Sequence, residues 1–342
     1  MVAPLACLCG STVHADTLSS SVFVRTDSDH TLVVSPRAHL NKRIGDADQL
    51  DLTYAADVWT SASVDVRASA SLPITEQRDE LDVALEHTWQ DVSLSGSYRY
   101  SVEHDYVSHG VSTTGSVDLA QNNTSLAVGA YAFMDKVGRA GEPSFSRNLT
   151  TAGARASLTQ VLGPSTLAQL NYELSYLQGY QSSPYRFVGT GGTGFGCEDA
   201  ATCQPEHEPD VRQRHALAVV TRHALSDVLS LGVQYRFYFD SWQLRSHTAT
   251  AQLAWLLSDD TQLSLSYRFY TQTGVSFYQR VYALTSSATR YTTRDREQSP
   301  LYNQRLGLEW EHGLPIGDGT RLVCFGSLGG VLYEYANFAG LS

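Results

Sequence analysis

Apolar residues recur at every second position through most of this chain. In "VLSLGVQYRFYFD" one set holds Leu229, Leu231, Val233, Tyr235, Phe237 and Phe239, and the interleaved set holds Ser230, Gly232, Gln234, Arg236, Tyr238 and Asp240. "LSLSYRFYT" sets Leu263, Leu265, Tyr267 and Phe269 against Ser264, Ser266, Arg268 and Tyr270. "VSLSGSYRYSV" sets Val92, Leu94, Tyr98 and Tyr100 against Ser93, Ser95, Ser97, Arg99 and Ser101. Such alternation predicts strands with one apolar and one wet face. It places strands at 18–27, 31–43, 48–59, 78–89, 91–103, 106–119, 122–134, 146–162, 165–180, 211–224, 227–240, 244–257, 261–273 and 301–313. The tail, 320–340, reads as one long strand or as two joined at Gly329-Gly330. No stretch carries the 3.6-residue period of an amphipathic helix.

The connections alternate in length. Short turns fall after residue 43 and at 90–91, 121–122, 163–165, 226–227 and 258–260; longer segments, 60–77, 135–145, 181–210 and 274–300, fall between them. Two tight links, near 104–106 and 241–243, interrupt the long set. Short turns at one end and long loops at the other are the organisation of a barrel in an outer membrane. Trp89, Trp255 and Trp310 each close a strand before a short turn, on its apolar face, while Tyr235, Phe237, Tyr267 and Phe269 lie at the opposite end. Two aromatic belts result, one per membrane interface. The expected fold is all-β: a transmembrane up-and-down antiparallel barrel of about 16 strands (14–16). A barrel also removes the open edges and exposed apolar face that so many uncovered strands would leave.

Composition is consistent with this reading. Among 342 residues only 17% are charged, and 19 are tyrosine. A net charge of −11 argues against a nucleic-acid partner, which requires a concentrated basic surface. No run of 18 apolar residues offers a spanning helix, and a barrel needs none. Residues 1–15, "MVAPLACLCGSTVHA", read as the remnant of a signal peptide, leaving 16–342 as a single outer-membrane barrel domain. Pro4 stands where a lipobox usually has Leu, which argues against lipid attachment. Cys197 and Cys203, six apart in a loop of an exported chain, are expected to form a disulfide, and Cys324 to pack as a small apolar residue.

Several segments resemble an uncharacterised family of Gram-negative outer-membrane β-barrels, a domain of unknown function. They are "EHDYVSHGVS" (103–112), "NNTSLAVGAYAFMD" (122–135), "LTQVLGPSTLAQLNYE" (158–173), "QGYQSSPYR" (178–186), "YRFYFDSWQLRSHT" (235–248) and "YRFYTQTGVSFY" (267–278). The resemblance spans residues 30 to 280 and implies a barrel in the outer membrane, but no activity. At the C-terminal end, "GVLYEYANF" offers Tyr333, Tyr335 and Phe338 as the alternating aromatics of an assembly signal.

Arg99, Arg236 and Arg268 are the sharpest candidates for function. On the barrel reading they face the lumen, where they either set selectivity toward anionic groups or fill space in ion pairs with Glu103, Glu173 or Asp240. A hydrolase built from His104, Asp105, His109, Ser246 and His247 is a weaker reading, because spacing does not bring a nucleophile to its base. "GTGGTG" (189–194) opens no helix and so is loop glycine. The acidic loop around Glu198, Glu206, His207 and Glu208 reads as solvated rather than metal-binding. The expected protein is therefore not an enzyme and needs no metal or cofactor. It is a porin-like channel or binder for small polar solutes, or else a plugged barrel that scaffolds an envelope complex. Its partners are outer-membrane lipid and the barrel-assembly machinery. A folded barrel of this kind should migrate faster in an SDS gel unheated than boiled; identical mobility of the two samples would contradict the barrel.

Overall fold

The computed structural model describes residues 5–11, 16–27, 32–59, 76–192, 197, 199–284, 291–317 and 320–336. Its strands are β1 (Leu5–Ser11), β2 (Thr17–Thr26), β3 (Leu32–Ile44), β4 (Asp48–Trp59), β5 (Glu76–Trp89), β6 (Val92–Val102), β7 (Tyr106–Leu119), β8 (Thr124–Val137) and β9 (Arg147–Gly163). There follow β10 (Thr166–Gly179), β11 (Phe187–Thr190), β12 (Thr202–Pro205), β13 (Val211–Ala224), β14 (Leu229–Asp240), β15 (Arg245–Ser258), β16 (Thr261–Gln272), β17 (Leu301–Gly317) and β18 (Thr320–Tyr335). Alternation found the long strands to within a few residues at their ends. The tail is one strand rather than two, because Gly329 and Gly330 pair in register with Gly307 and Leu306. Periodicity missed β11 and β12, a four-residue hairpin inside a long loop.

From β2 to β18 the long strands form an antiparallel meander in which each pairs with the next, and β10 passes directly to β13. The backbone of β1 lies at the seam. Leu5–Ser11 pairs with Gly326–Thr320 of β18, and Leu5–Gly10 with Val22–Thr17 of β2. Leu5–Ser11 is thus paired on both sides. The physical reason is that β2 and β18 otherwise present unpaired N–H and C=O groups, which a strand between them satisfies.

The register carries one face continuously around the sheet. Asp240, Tyr238 and Arg236 on β14 stand opposite Arg214, Ala216 and Ala218 on β13, and Tyr238 and Arg236 stand opposite Ser246 and Thr248 on β15. These face the lumen. The other face is apolar and bare: Leu306 is 57% exposed, Trp89 53% and Leu265 47%. In water that face would be an extreme liability, whereas in hydrocarbon it is satisfied. Inside, the lumen is wet. The Arg99 side chain points inward yet remains 45% exposed, so side chains do not fill the interior at that height.

The tightest packing lies at the long-loop end. Val188, Thr292, Thr293 and Ser299, all from the loops that follow β10 and β16, are fully buried. Trp242, Leu244 and Val275 form an apolar cluster beside them. Close aromatic-on-glycine contacts pin the wall below. The Tyr131 ring covers Gly153 on the neighbouring strand, so a Cβ there would clash with the ring. Gly153→Val should therefore displace Tyr131, break its hydrogen bond to Glu173, and destabilise the barrel by about 1–3 kcal/mol. Denaturant unfolding in detergent measures this, and an unchanged midpoint would contradict it.

Candidate functional site in the outer half of the lumen

The tight link between β14 and β15 shows how sequence builds the site. Gln243 adopts a left-handed conformation with φ 69°, which a non-glycine residue tolerates only with support. Asp240 supplies it. Its Oδ1 accepts from the backbone N–H groups of Trp242 (2.9 Å) and Leu244 (3.1 Å), and its Oδ2 accepts from Arg212 Nε (2.9 Å) and the Tyr238 hydroxyl (2.8 Å). The Arg212 guanidinium lies 4.1 Å from the centre of the Trp242 ring, whose Nε1 donates to the Val211 carbonyl at 2.9 Å. Asp240 and Arg212 are both buried, so removing either would strand an uncompensated charge, at a cost of about 3–5 kcal/mol. The Tyr238, Asp240 and Trp242 of "YRFYFDSW" are thus a structural clamp.

Beneath the clamp is a cavity of about 820 Å³, lined among others by Arg214, Arg236, Tyr238, Arg268, Tyr270 and Tyr333. Ser246 of β15 lines it, and short side chains continue the same face below: Ala216 and Ala218 on β13, and Thr248 and Thr250 on β15.

Two loops roof this cavity. The β11–β12 hairpin is joined to the loop after β16 through bridges from Thr190 to Tyr282 and from His207 to Thr292. The Tyr282 hydroxyl donates to the carbonyls of Phe277 (3.0 Å) or Thr293 (3.1 Å) and accepts from the Thr293 N–H (3.0 Å). Arg186 pairs with Asp295 at 2.9 Å. Between the loops two buried carboxyl groups share Thr293, whose hydroxyl contacts both Glu206 and Glu208. The Gln298 amide also donates to Glu208. Burial, and next the charge of Glu206, pushes the Glu208 carboxyl up to about 8; burial also raises Glu206. Cys197 and Cys203 are bonded to each other within the same roof.

The residues singled out from sequence fall in different places. Arg99, Arg236 and Arg268 all face the lumen. Among the described residues only Arg99 of the three is ion-paired, with Asp82 at 2.8 Å and Glu80 at 3.8 Å. The partners expected for these arginines are engaged elsewhere: Glu103 with Arg78 at 3.9 Å, Glu173 with the Tyr131 hydroxyl at 2.8 Å, and Asp240 with Arg212. Trp89, Trp255, Trp310, Tyr235, Tyr267, Phe237 and Phe269 lie on the outer face. Tyr333 and Tyr335, expected as terminal assembly aromatics, instead line the cavity, because β18 pairs so that Leu328 and Leu332 face outward. Phe338 and Glu198 lie outside the described residues.

Ser246 and His247 point to opposite faces of β15, with His247 bonded to the Tyr235 hydroxyl at 2.6 Å outside the barrel. His109 is likewise outside, bonded to the Tyr98 hydroxyl at 2.8 Å. Asp105 accepts from the Tyr185 hydroxyl. Among the described residues no three His, Cys, Asp or Glu side chains converge as a metal site. Sequence reasoning missed Arg212 and Arg214, although "VRQRHALAVV" shows both in phase with Ala216 and Ala218. It missed the roles of Tyr282, Thr293 and Glu208, which no period marks.

A wet lumen, an apolar outer face and loops confined to one end define an outer-membrane β-barrel protein of a Gram-negative type. The chain belongs to the DUF3570 family, described as a protein of unknown function, whose model matches residues 64–149 and 139–317. No curated protein matches. Among solved structures it is similar to a bacterial polysaccharide outer membrane secretin (8% identity, 95% of this chain and 96% of that one, TM-score 0.46). It is also similar to an anion-selective porin from Comamonas acidovorans (9%, 96% and 97%, TM-score 0.42) and to outer-membrane expressed OmpT of Vibrio cholerae (8%, 97% and 95%, TM-score 0.43).

The raised Glu208 sets a pH dependence for the roof. Its neutral form is favoured in the folded loops, so its stabilising contribution is fully present below about 4.5, the ordinary value, and is lost as pH rises toward about 8. Limited proteolysis of the loops should therefore accelerate between these values, and Glu208→Gln should flatten the profile. A wild-type profile that is flat across this range would contradict the assignment.

Proposed function

We propose that the protein is a non-enzymatic outer-membrane barrel that binds or passes a small polar solute. The observation that carries this is the wet lumen opening into a cavity lined by cationic and hydroxyl groups. Sixteen strands, counting β1 as the closing strand, give a barrel wide enough for an aqueous path. Lipid meets the outer girdle, and the barrel-assembly machinery inserts the chain. The opposite orientations of Ser246 and His247 speak against a hydrolase built on them.

One observation favours a second reading. The two long loops bury a core of their own over the mouth, from Val188 to Thr293, as a plug would. In that case the barrel is a scaffold for an envelope complex. Planar-bilayer recording separates the two. Folded protein should give discrete conductance steps; none from protein that retains its heat-sensitive gel mobility would overturn passage and leave the scaffold.

A further inference from the structure

Six lumenal arginines differ in their partners; Arg305, opposite Arg268 on β17, and Arg155, over the Tyr131 ring, are two further ones outside the cavity lining. Arg78 lies 2.7 Å from Glu80, Arg99 2.8 Å from Asp82, and Arg212 hydrogen-bonds Asp240. Arg214, Arg236 and Arg268, on β13, β14 and β16, have no carboxylate within ion-pair distance among the described residues. Arg214 Nε is moreover buried with no hydrogen-bond partner. All three line the one cavity. An ion-paired arginine fills space at no net charge, whereas three without carboxylates hold a positive potential at a wet, half-enclosed site.

Most acidic groups that face the same cavity are engaged with other partners. Glu103 is 3.9 Å from Arg78, and Asp295 pairs with Arg186. Asp105 is held by the Tyr185 hydroxyl, and Glu208 is held within the roof by Gln298 and Thr293. Among the described residues Glu297 alone of these has neither an ion pair nor a side-chain hydrogen bond, and it sits in the roof, where its charge reaches Tyr270.

Shape agrees with charge. Arg236 stands opposite Thr248, and Arg268 opposite Thr250, on the intervening strand β15. Two short hydroxyl side chains therefore stand on the strand between the two arginine positions. Arg268 lies 5.5 Å from the centre of the Tyr270 ring, which limits its freedom. Planar guanidinium groups with hydroxyls between them match the geometry of an oxyanion, which takes paired N–H donors and a shorter O–H contact.

We propose that Arg214, Arg236 and Arg268 form a binding subsite for the carboxylate or phosphate group of a small solute. The proposal deepens the solute reading and rests on its wet lumen, but it does not require passage across the membrane. Thr248 and Thr250 supply hydroxyl contacts, and Tyr270 holds Arg268 toward the ligand.

The test uses the full chain folded in detergent, with inorganic phosphate and acetate as probes against chloride at equal ionic strength. Phosphate should raise the melting temperature saturably, and R236Q/R268Q should weaken its apparent affinity by about tenfold or more. Acetate acting in place of phosphate would assign the subsite to carboxylates. In bilayers under a KCl gradient, the wild-type reversal potential should lie on the anion side and move toward zero in the variant. Conductance that is cation-selective and indifferent to both probes would overturn the subsite while leaving passage intact. No conductance, with a phosphate shift that the variant loses, would leave the subsite standing and remove passage. Should R236Q/R268Q lose its heat-sensitive gel mobility, R236K/R268K replaces it; it keeps the charge but not the paired N–H donors, so weakened phosphate affinity alone is read from it. A wild type that responds to neither oxyanion beyond chloride overturns the proposal regardless of any variant.

Discussion

Every backbone N–H and C=O within a membrane must find a partner inside the protein, and the rest of this structure depends on that requirement. It forces the strands to pair edge to edge from β2 to β18, and it places β1 at the seam where two edges would otherwise face lipid. Once the ladder is fixed, the two-residue period sorts chemistry without further instruction. Tyr235 goes to the outer face and Arg236 to the lumen, one residue apart, so the arginine is never exposed to hydrocarbon.

The mouth obeys a different rule. There the chain leaves the ladder, and side chains must supply what strand pairing no longer does. Asp240 satisfies two N–H groups of a turn strained at Gln243 while neutralising Arg212, and Tyr282 and Thr293 do comparable work where the two loops meet. This explains why the buried polar residues gather at the long-loop end, whereas the mid-barrel interior stays wet. It also leaves the positive charge of the cavity on the three arginines that the clamp does not use.

The strands, the two ends of the barrel, the outward tryptophans and the inward direction of Arg99, Arg236 and Arg268 were legible in the sequence, since each follows from parity along a strand. The pairing of those arginines was not. Asp240 lies on the same strand face as Arg236, yet it bonds Arg212 of the adjacent strand, 28 residues away. Tyr333 and Tyr335 read as terminal aromatics until the register of β18 against β17 turned them into the cavity.

The sequence by itself determined an all-β barrel, because a period of two is a local property that each strand carries alone. It also determined which residues alternate and where the turns fall. Only the tertiary structure decided which lumenal charges are matched and which are left open. Those matches depend on the offset between strands and on how loops fold back over the mouth, and neither is written in the spacing of any single strand.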